Sequence, residues 1–218
     1  MTTNLYLIND MNPLGLEATV KETQLLFNDV TYSHFPIMRD KTYLGCIAET
    51  DIRCFNIDKK LLDYQYSLEG FFVRDNANWL DILESFAQNN CNLMPVLDHD
   101  NNYLGYFELK DIMNLFNQTP FLSEPGHILI VEKGFMDYSF SEIAQIVESN
   151  SSRILGLFIS SLENDVAQVT VKITNSDINT IVQTFRRYSY NIVSQHNEDI
   201  FLNNLKDRSK YLDKYLNI

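Results

Sequence analysis

The stretch "YLGCIAETDI", ending at Ile52, returns sixty residues later as "YLGYFELKDI", ending at Ile112. A chain that writes one run twice builds one local structure twice. The duplication is longer than the quoted runs. "SHFPIMRDKTYLGCIAETDI" at 33–52 matches "NLMPVLDHDNNYLGYFELKDI" at 92–112, with one more residue in the second copy's turn. Pro36 corresponds to Pro95, Gly45 to Gly105 and Asp51 to Asp111.

Each copy reads as strand, turn, strand. "RDKTY" and "DHDNNY" are rich in Asp and Asn, which tolerate left-handed backbone, and apolar residues flank both. Gly45 and Gly105 fall inside the second strand, where a glycine marks either close packing or the approach of another backbone or a ligand. A helix is expected before each hairpin. Trp79, Ile82, Leu83 and Phe86 make a stripe at i, i+3, i+4 and i+7; Val20, Phe27 and Val30 make a weaker one. "TDIRCF" and "KDIMNLF" begin short helices. Additional strands are expected near "LGL" in the first copy and "GFFV" in the second.

Pro120, Pro125 and Gly126 break the pattern. Beyond them "HILIVEK", "RILGLFISS", "AQVTVKI" and "YNIVSQ" read as strands. "SFSEIAQIVESN" and "SDINTIVQTFRRY" read as helices, with stripes Phe140, Ile143, Val147 and Ile178, Ile181, Val182, Phe185. The order βαββαβ is the ferredoxin-like plan. The expected organisation is a first repeat at 1–60, a second at 61–122, the βαββαβ domain at 126–197 and an amphipathic C-terminal helix at 198–218, with Phe201, Leu205, Leu212 and Leu216 on one side.

Charge narrows the partners. The 218 residues carry a net charge of −12. Residues 1–124 hold 8 Lys and Arg against 18 Asp and Glu, so the acidity is concentrated there. Nucleic acid and anionic membrane need clustered cations and are not expected as partners. No apolar run approaches the ~20 residues that span a bilayer. The opening "MTTNLYLINDMNPLG" does not read as a secretion signal, and Cys46, Cys54 and Cys91 are odd in number without metal spacing, so a reducing, cytoplasmic setting is expected.

The paired landmarks resemble tandem CBS domains, the Bateman module, over roughly residues 1–120. The resemblance implies two repeats packed with pseudo-twofold symmetry and clefts that bind adenosine-containing ligands. The βαββαβ region resembles an ACT domain, and the combination is similar to acetoin-utilisation-type CBS-ACT proteins. The fold class that follows is α/β in the α+β sense: a tandem pair, a ferredoxin-like domain and a tail helix.

In the CBS pattern the ribose contact reads Gly–apolar–apolar–Thr/Ser–x–x–Asp. Here it implies ribose binding by Asp51 and Asp111, since a carboxylate accepts from two neighbouring hydroxyls at once. Asp51 and Asp111 also lie at expected helix starts, where the helix dipole alone favours an acid. The hydroxyl is missing from both copies: Ala48 and Glu108 take its place. The resemblance makes Phe35, Pro36, Gly45, Ala48, Met94, Pro95, Gly105 and Glu108 the cleft lining, with Arg53, Arg74 and Lys110 as candidates for phosphate. The acidity and Glu108 disfavour ATP, which leaves AMP or S-adenosylmethionine as the expected regulatory ligand. In the ACT pattern a glycine lets an amino acid approach after the first strand; Tyr138 stands there, so dimerisation with side-by-side sheets is favoured over amino-acid sensing.

No catalytic or metal-binding arrangement stands out. His34, His99, His127 and His196 are scattered, and "DHD" at 98–100 reads as a turn. A hydrolase using Glu108 and Asp111, three apart, is the weakest reading. The expected function is regulation, non-enzymatic, through an adenosyl ligand that alters a homodimer or an unidentified client protein. The alternative is an interaction or dimerisation scaffold with vestigial clefts.

Overall fold

The structure, a computed structural model, describes residues 3–40, 42–175 and 177–194. The expected tail helix at 198–218 lies outside the described residues. The chain divides into two compact units, Met1–Phe116 and Asn117–Ile218.

The first unit is built twice over. The first repeat runs β1 (Leu14–Gly15), α1 (Val20–Asp29), β2 (His34–Arg39), β3 (Thr42–Ala48) and α2 (Glu49–Cys54). The second runs β4 (Val73–Arg74), α3 (Trp79–Gln88), β5 (Leu93–Leu97), β6 (Tyr103–Glu108) and α4 (Leu109–Asn117). Each forms a three-stranded sheet with one parallel and one antiparallel pairing, in the orders β1-β2-β3 and β4-β5-β6. Even the irregularities correspond: the register slips at Ile37/Met38 and again at Val96/Leu97. The turns are left-handed at Asp40 (φ 54°) and Asn101 (φ 66°), where a short polar side chain tolerates that backbone.

Local chemistry starts the helices. Thr19 and Glu22 close a capping box on α1, and Asn78 caps α3 through the N–H groups of Leu80 and Asp81. The α3 stripe behaves as its spacing predicts: Ile82 and Phe86 are buried, with Trp79 and Leu83 packed beside them. Burying each such side chain contributes about 1.5–3 kcal/mol. Val20 and Phe27 are buried from α1, whereas Val30 lies just past its end.

The repeats exchange flanking segments. A short 3-10 helix, Leu61–Ser67, packs on the first repeat, with Leu61 in that repeat's core and its N–H bonded to Ala18 O. Glu69 then pairs with Cys46 on the free edge of β3. Reciprocally, Tyr6 and Leu7 pack in the second repeat's core, and Ile8 pairs with Tyr106 on the free edge of β6. The sequence expectation of repeats divided at 60/61 therefore differs from the packing in space.

These exchanges explain both interior glycines. Gly45 (φ 144°) and Gly105 (φ 149°) have backbone that a side chain rarely adopts. A Cβ on Gly45 would lie 2.9 Å from Glu69 O, and one on Gly105 would collide with Ile8 O. Of the two expectations for these glycines, the close approach of another backbone is the one found.

The second unit opens with a short helix α5 (Pro120–Ser123). It continues as β7 (Gly126–Gly134), α6 (Phe140–Ser149), β8 (Ile154–Glu163), β9 (Val166–Thr174), α7 (Ile178–Arg187) and β10 (Asn191–Ile192). The sheet order β10-β7-β9-β8, antiparallel throughout, is the ferredoxin-like arrangement. Asn164 and Asp165, both at positive φ, make the tight turn between β8 and β9. Leu129, Val131, Val169, Val171 and Ile173 from the sheet meet Ile143, Ile146, Val147, Ile181, Val182 and Phe185 from the helices in one core. Phe140 departs from its expected stripe: it is 40% exposed beside the Tyr138 ring, and Ile146 takes the buried place. The unit begins at Asn117, ahead of the expected break, because α5 packs on β8 through Phe121 against Gly156 and Phe158.

Candidate functional site

The end of α1 and the loop from it into β2 carry Asp29, Val30, Thr31 and Tyr32. With Asn92, Glu108 and Lys110 of the second repeat they wall a cleft of about 490 Å³. Both repeats contribute, so an occupant would touch both.

The floor beside the cleft is a reciprocal knot. Ser33 N–H donates to Asn92 Oδ1 (2.8 Å), Asn92 N–H donates to Ser33 Oγ (3.0 Å), and Asn92 Nδ2 donates to Thr31 O (2.7 Å). Ser33 and Asn92 hold equivalent positions, three residues before Pro36 and Pro95. Their carbonyls act alike as well: Ser33 O accepts from Glu49 N–H (2.9 Å) and Asn92 O from Leu109 N–H (3.1 Å). Each bond ties a strand start to the helix that carries the candidate aspartate.

Tyr32 and Glu108 of the lining begin a row of oxygens that runs on to Tyr106 and Asp10, which do not line the cleft. The Tyr106 hydroxyl donates to Asp10 Oδ1 (2.8 Å) and lies 3.0 Å from the Tyr32 hydroxyl, which donates to Glu108 Oε1 (2.8 Å). The Lys110 ammonium pairs with the other Glu108 oxygen. Burial, as the leading cause, pushes both phenols above their ordinary range, and the neighbouring carboxylates add to this. Both therefore keep their protons at neutral pH. Lys110 is held above its usual value by Glu108.

The quasi-equivalent region of the first repeat is different. Ala48 stands for Glu108 and Cys46 for Tyr106. Cys46 is buried, and its thiol is pushed up chiefly by burial. The Cys91 thiol is pushed up to about 12 by the same cause, so both are inert core groups. His34 is buried beside Phe71, with Ser33 Oγ at 2.8 Å from Nδ1 and Glu69 at 3.5 Å from Nε2. Its pKa is lowered by burial first, with Glu69 and then Asp51 opposing.

Asp51 and Asp111 lie in the first turns of α2 and α4, half-buried. Neither accepts a hydrogen bond among the described residues. The cap of α2 is Ala48, which offers no side-chain bond, so Asp51 is not a capping residue. Its helix-dipole contribution remains.

Most of the expected lining is elsewhere. Phe35 is buried in the first repeat's core, with its ring edge-on to Phe27 at 4.7 Å. Met94 is wholly buried, and Pro36, Pro95, Gly45, Gly105 and Ala48 are buried too. The reason is the hairpin itself: β2 and β5 lie inside the unit, and the glycines are covered by Glu69 and Ile8. Of the residues expected to line a cleft, Glu108 alone does so here. Lys110 also reaches it, whereas Arg53 pairs with Glu49 one turn earlier (2.5 Å). Arg74 lies over the Phe72 ring (4.9 Å) and donates to Asp98 O and to Asn101 Oδ1 (2.8 Å). "DHD" is a turn, with Asp98 accepting from the N–H groups of Asp100 and Asn102.

Sequence reasoning missed Tyr32, Asn92, Tyr106 and Asp10. Polar residues at the matched places Ser33 and Asn92, each opening an apolar strand, were a readable signal. The meeting of Asp10 with Tyr106 had none, because ninety-six residues separate them.

Among the described residues no group of three His, Cys, Asp or Glu could hold a metal, and no helix is long and apolar enough to cross a membrane. Comparison with known proteins gives a match of residues 69–117 to the family model for the CBS domain. No curated protein matched the chain. Among solved structures, a CBS domain pair/ACT domain protein from Thermotoga maritima is 20% identical, with a TM-score of 0.48, over 53% of this chain and 96% of that one. The CBS pair of a putative Mg2+ transporter from Shewanella oneidensis MR-1 is 22% identical, with a TM-score of 0.47, over 52% and 68%. The CBS domain of a bacterial CNNM/CorC family Mg2+ transporter, in complex with ATP, is 16% identical, with a TM-score of 0.43, over 52% and 84%. Residues 69–117, which hold β4, α3, β5, β6 and α4, are thus similar to a CBS domain, and the first repeat carries the same order of elements.

Proposed function

We propose that the first unit is a regulatory, non-catalytic sensor whose inter-repeat cleft binds an adenosyl compound, S-adenosylmethionine or AMP ahead of ATP. The carrying observation is that residues of both repeats line one cleft. A ligand there favours one packing of the repeats over another, by no more than its differential affinity for the two. Asp51 and Asp111 are kept as the ribose residues in this reading; neither is among the residues that line the cleft. Their carboxylates are half-exposed and accept no hydrogen bond among the described residues, which leaves them available to hydroxyls. Lys110 is the cation nearest a phosphate in the cleft, already paired with Glu108.

Residues 1–60 and 61–122 act as one ligand-reading pair in this reading. The region 126–197 acts as an ACT-like dimerisation domain with the tail 198–218, in a cytoplasmic protein of the acetoin-utilisation type. The output is a change in a homodimer or in a client protein that the chemistry of the cleft does not name.

The scaffold reading has one observation in its favour. The Tyr32–Glu108 bond already spans the repeats without a ligand (2.8 Å). Mass spectrometry of small molecules released from gently denatured protein, followed by titration calorimetry with S-adenosylmethionine, AMP and ATP, separates the two. Binding of one adenosyl compound supports the sensor; silence from all three leaves the scaffold.

A further inference from the structure

The sheet of the second unit packs its helices on one face. Leu129, Val131, Val169, Val171 and Ile173 join α6 and α7 in the core, so the residues between them along β7 and β9 stand on the other face. Register sets a row of these across the four strands: Val193, Ile130, Thr170 and Phe158, with Val193 N–H donating to Ile130 O at 2.9 Å. Ile128 and Lys172 stand side by side in the next row. The short helix α5 covers one corner, through Phe121 over Gly156 and Phe158. Much of the rest is open and apolar: Phe158 is 45% exposed, Ile128 44% and Val193 40%. Lys172 is different. It is only 8% exposed, and its ammonium has no acceptor among the described residues. A buried charge without a partner is costly, so this face lacks an acid as well as an apolar cover.

We infer that residues 198–218 of the same chain dock on this face as an amphipathic helix, with Phe201, Leu205, Leu212 and Leu216 against the sheet and Glu198 at Lys172. Direction, length and charge agree. β10 runs antiparallel to β7, from the level of Glu132 to that of Ile130, so the chain beyond Ser194 is heading for Ile128 and Lys172. Glu198 is the first acid after Ser194, and it lies three residues before Phe201, on the side of the stripe. A helix over 198–218 is about 30 Å long at 1.5 Å per residue. The nine residues of β7 span about the same length. The rival occupant is the same face of a second copy. The chain's own segment is favoured because it is tethered at the rim of the face, at a local concentration on the order of 1 mM. The chain then closes this face itself, and the long β8 edge is left for a second copy. The inference concerns the second unit alone and holds whatever the cleft of the first unit binds.

Hydrogen exchange on the full chain, at low and at high protein concentration, is the first test. Amides of 198–218 should be slowed roughly tenfold or more, and equally at both concentrations. Phe201→Asp combined with Leu212→Asp should abolish that protection and raise hydroxyl-radical labelling of Phe158 and Val193, while the amides of α6 and α7 stay slow. Leu205→Ala, a milder change, should move the same readouts in the same direction by less. Glu198→Gln should speed acetylation of Lys172 and leave Lys133, which pairs with Glu142 at 2.9 Å, as it was. An unprotected segment in the native chain overturns the inference. So does labelling of Phe158 that all of these stripe variants leave unchanged, which puts the segment elsewhere. Protection that grows with protein concentration gives the face to a second copy instead. Acetylation of Lys172 that Glu198→Gln does not move overturns the pairing of these two residues.

Discussion

Ser33 and Asn92 grip each other across the two repeats, each donating its backbone N–H to the other's side-chain oxygen, at 2.8 and 3.0 Å. Residues in matched positions meeting in this way mark the axis that relates the repeats. The bonds are partly buried, so their loss is felt.

Asn92→Ala removes the acceptor for the Ser33 N–H and the donor to Thr31 O. Each buried group left without a partner costs about 1–3 kcal/mol. The expected outcome is a fall in stability of that size in urea titration, with adenosyl binding weakened because a cleft wall is gone. A variant as stable as the native chain would mean that these bonds hold nothing together.

Glycine substitutions should rank by the space around them. Gly105→Ala needs a rare φ and drives a Cβ into Ile8 O; Gly45→Ala meets Glu69 O at 2.9 Å. Strain of this kind costs of order 1–3 kcal/mol, and Gly105→Ala should be the worse. Gly70→Ala, with nothing within 4 Å, serves as the neutral control. Denaturant midpoints of the three variants test the order.

Glu108→Gln should raise the melting temperature in the absence of ligand. A glutamine amide donates to the Tyr32 oxygen, Tyr32 donates to Tyr106, and Tyr106 donates to Asp10. One added hydrogen bond is worth about 0.5–1.5 kcal/mol. Differential scanning calorimetry on both proteins decides; a lower melting temperature in the variant contradicts the count of protons in the row.

His34 should make the protein acid-sensitive. Burial holds its pKa below the ordinary 6.5, against the pull of Glu69 and Asp51. The unfolded chain therefore takes up this proton before the folded one does. Stability present above the unfolded value is lost as pH falls through the window between that value and the lower folded one. Urea titrations at about pH 7 and about pH 5 should show the loss. His34→Leu, which copies the residue at the matched position 93, should reduce it; an undiminished slope assigns the effect to other groups.

Much of the fold was legible because its signals are local. The stripe on α7 names the four residues that are buried there, Ile178, Ile181, Val182 and Phe185. The doubled Asp- and Asn-rich turns mark two hairpins, and the order of elements after Pro125 yields the ferredoxin-like sheet. The period of the α6 stripe is a poorer guide to burial. Phe140 has the right period, but the chain enters the helix beside the Tyr138 ring, which leaves Phe140 at the rim.

The cleft was far less legible. Pro36 and Met94 look like lining in the repeat pattern, but whether a strand residue meets water depends on what covers its sheet. The covers are Glu69 and Ile8, each drawn from the flank of the other repeat.

By itself the sequence determined that the chain is doubled, where its turns and helices begin, and that its first part carries most of the net negative charge. Those properties belong to neighbours along the chain and to summed charge. Tertiary structure decided which flank closes which sheet, that Glu108 meets Tyr32, and that four oxygens share two protons. These depend on groups brought together across as many as ninety-six residues, and no local propensity encodes the geometry of such a meeting.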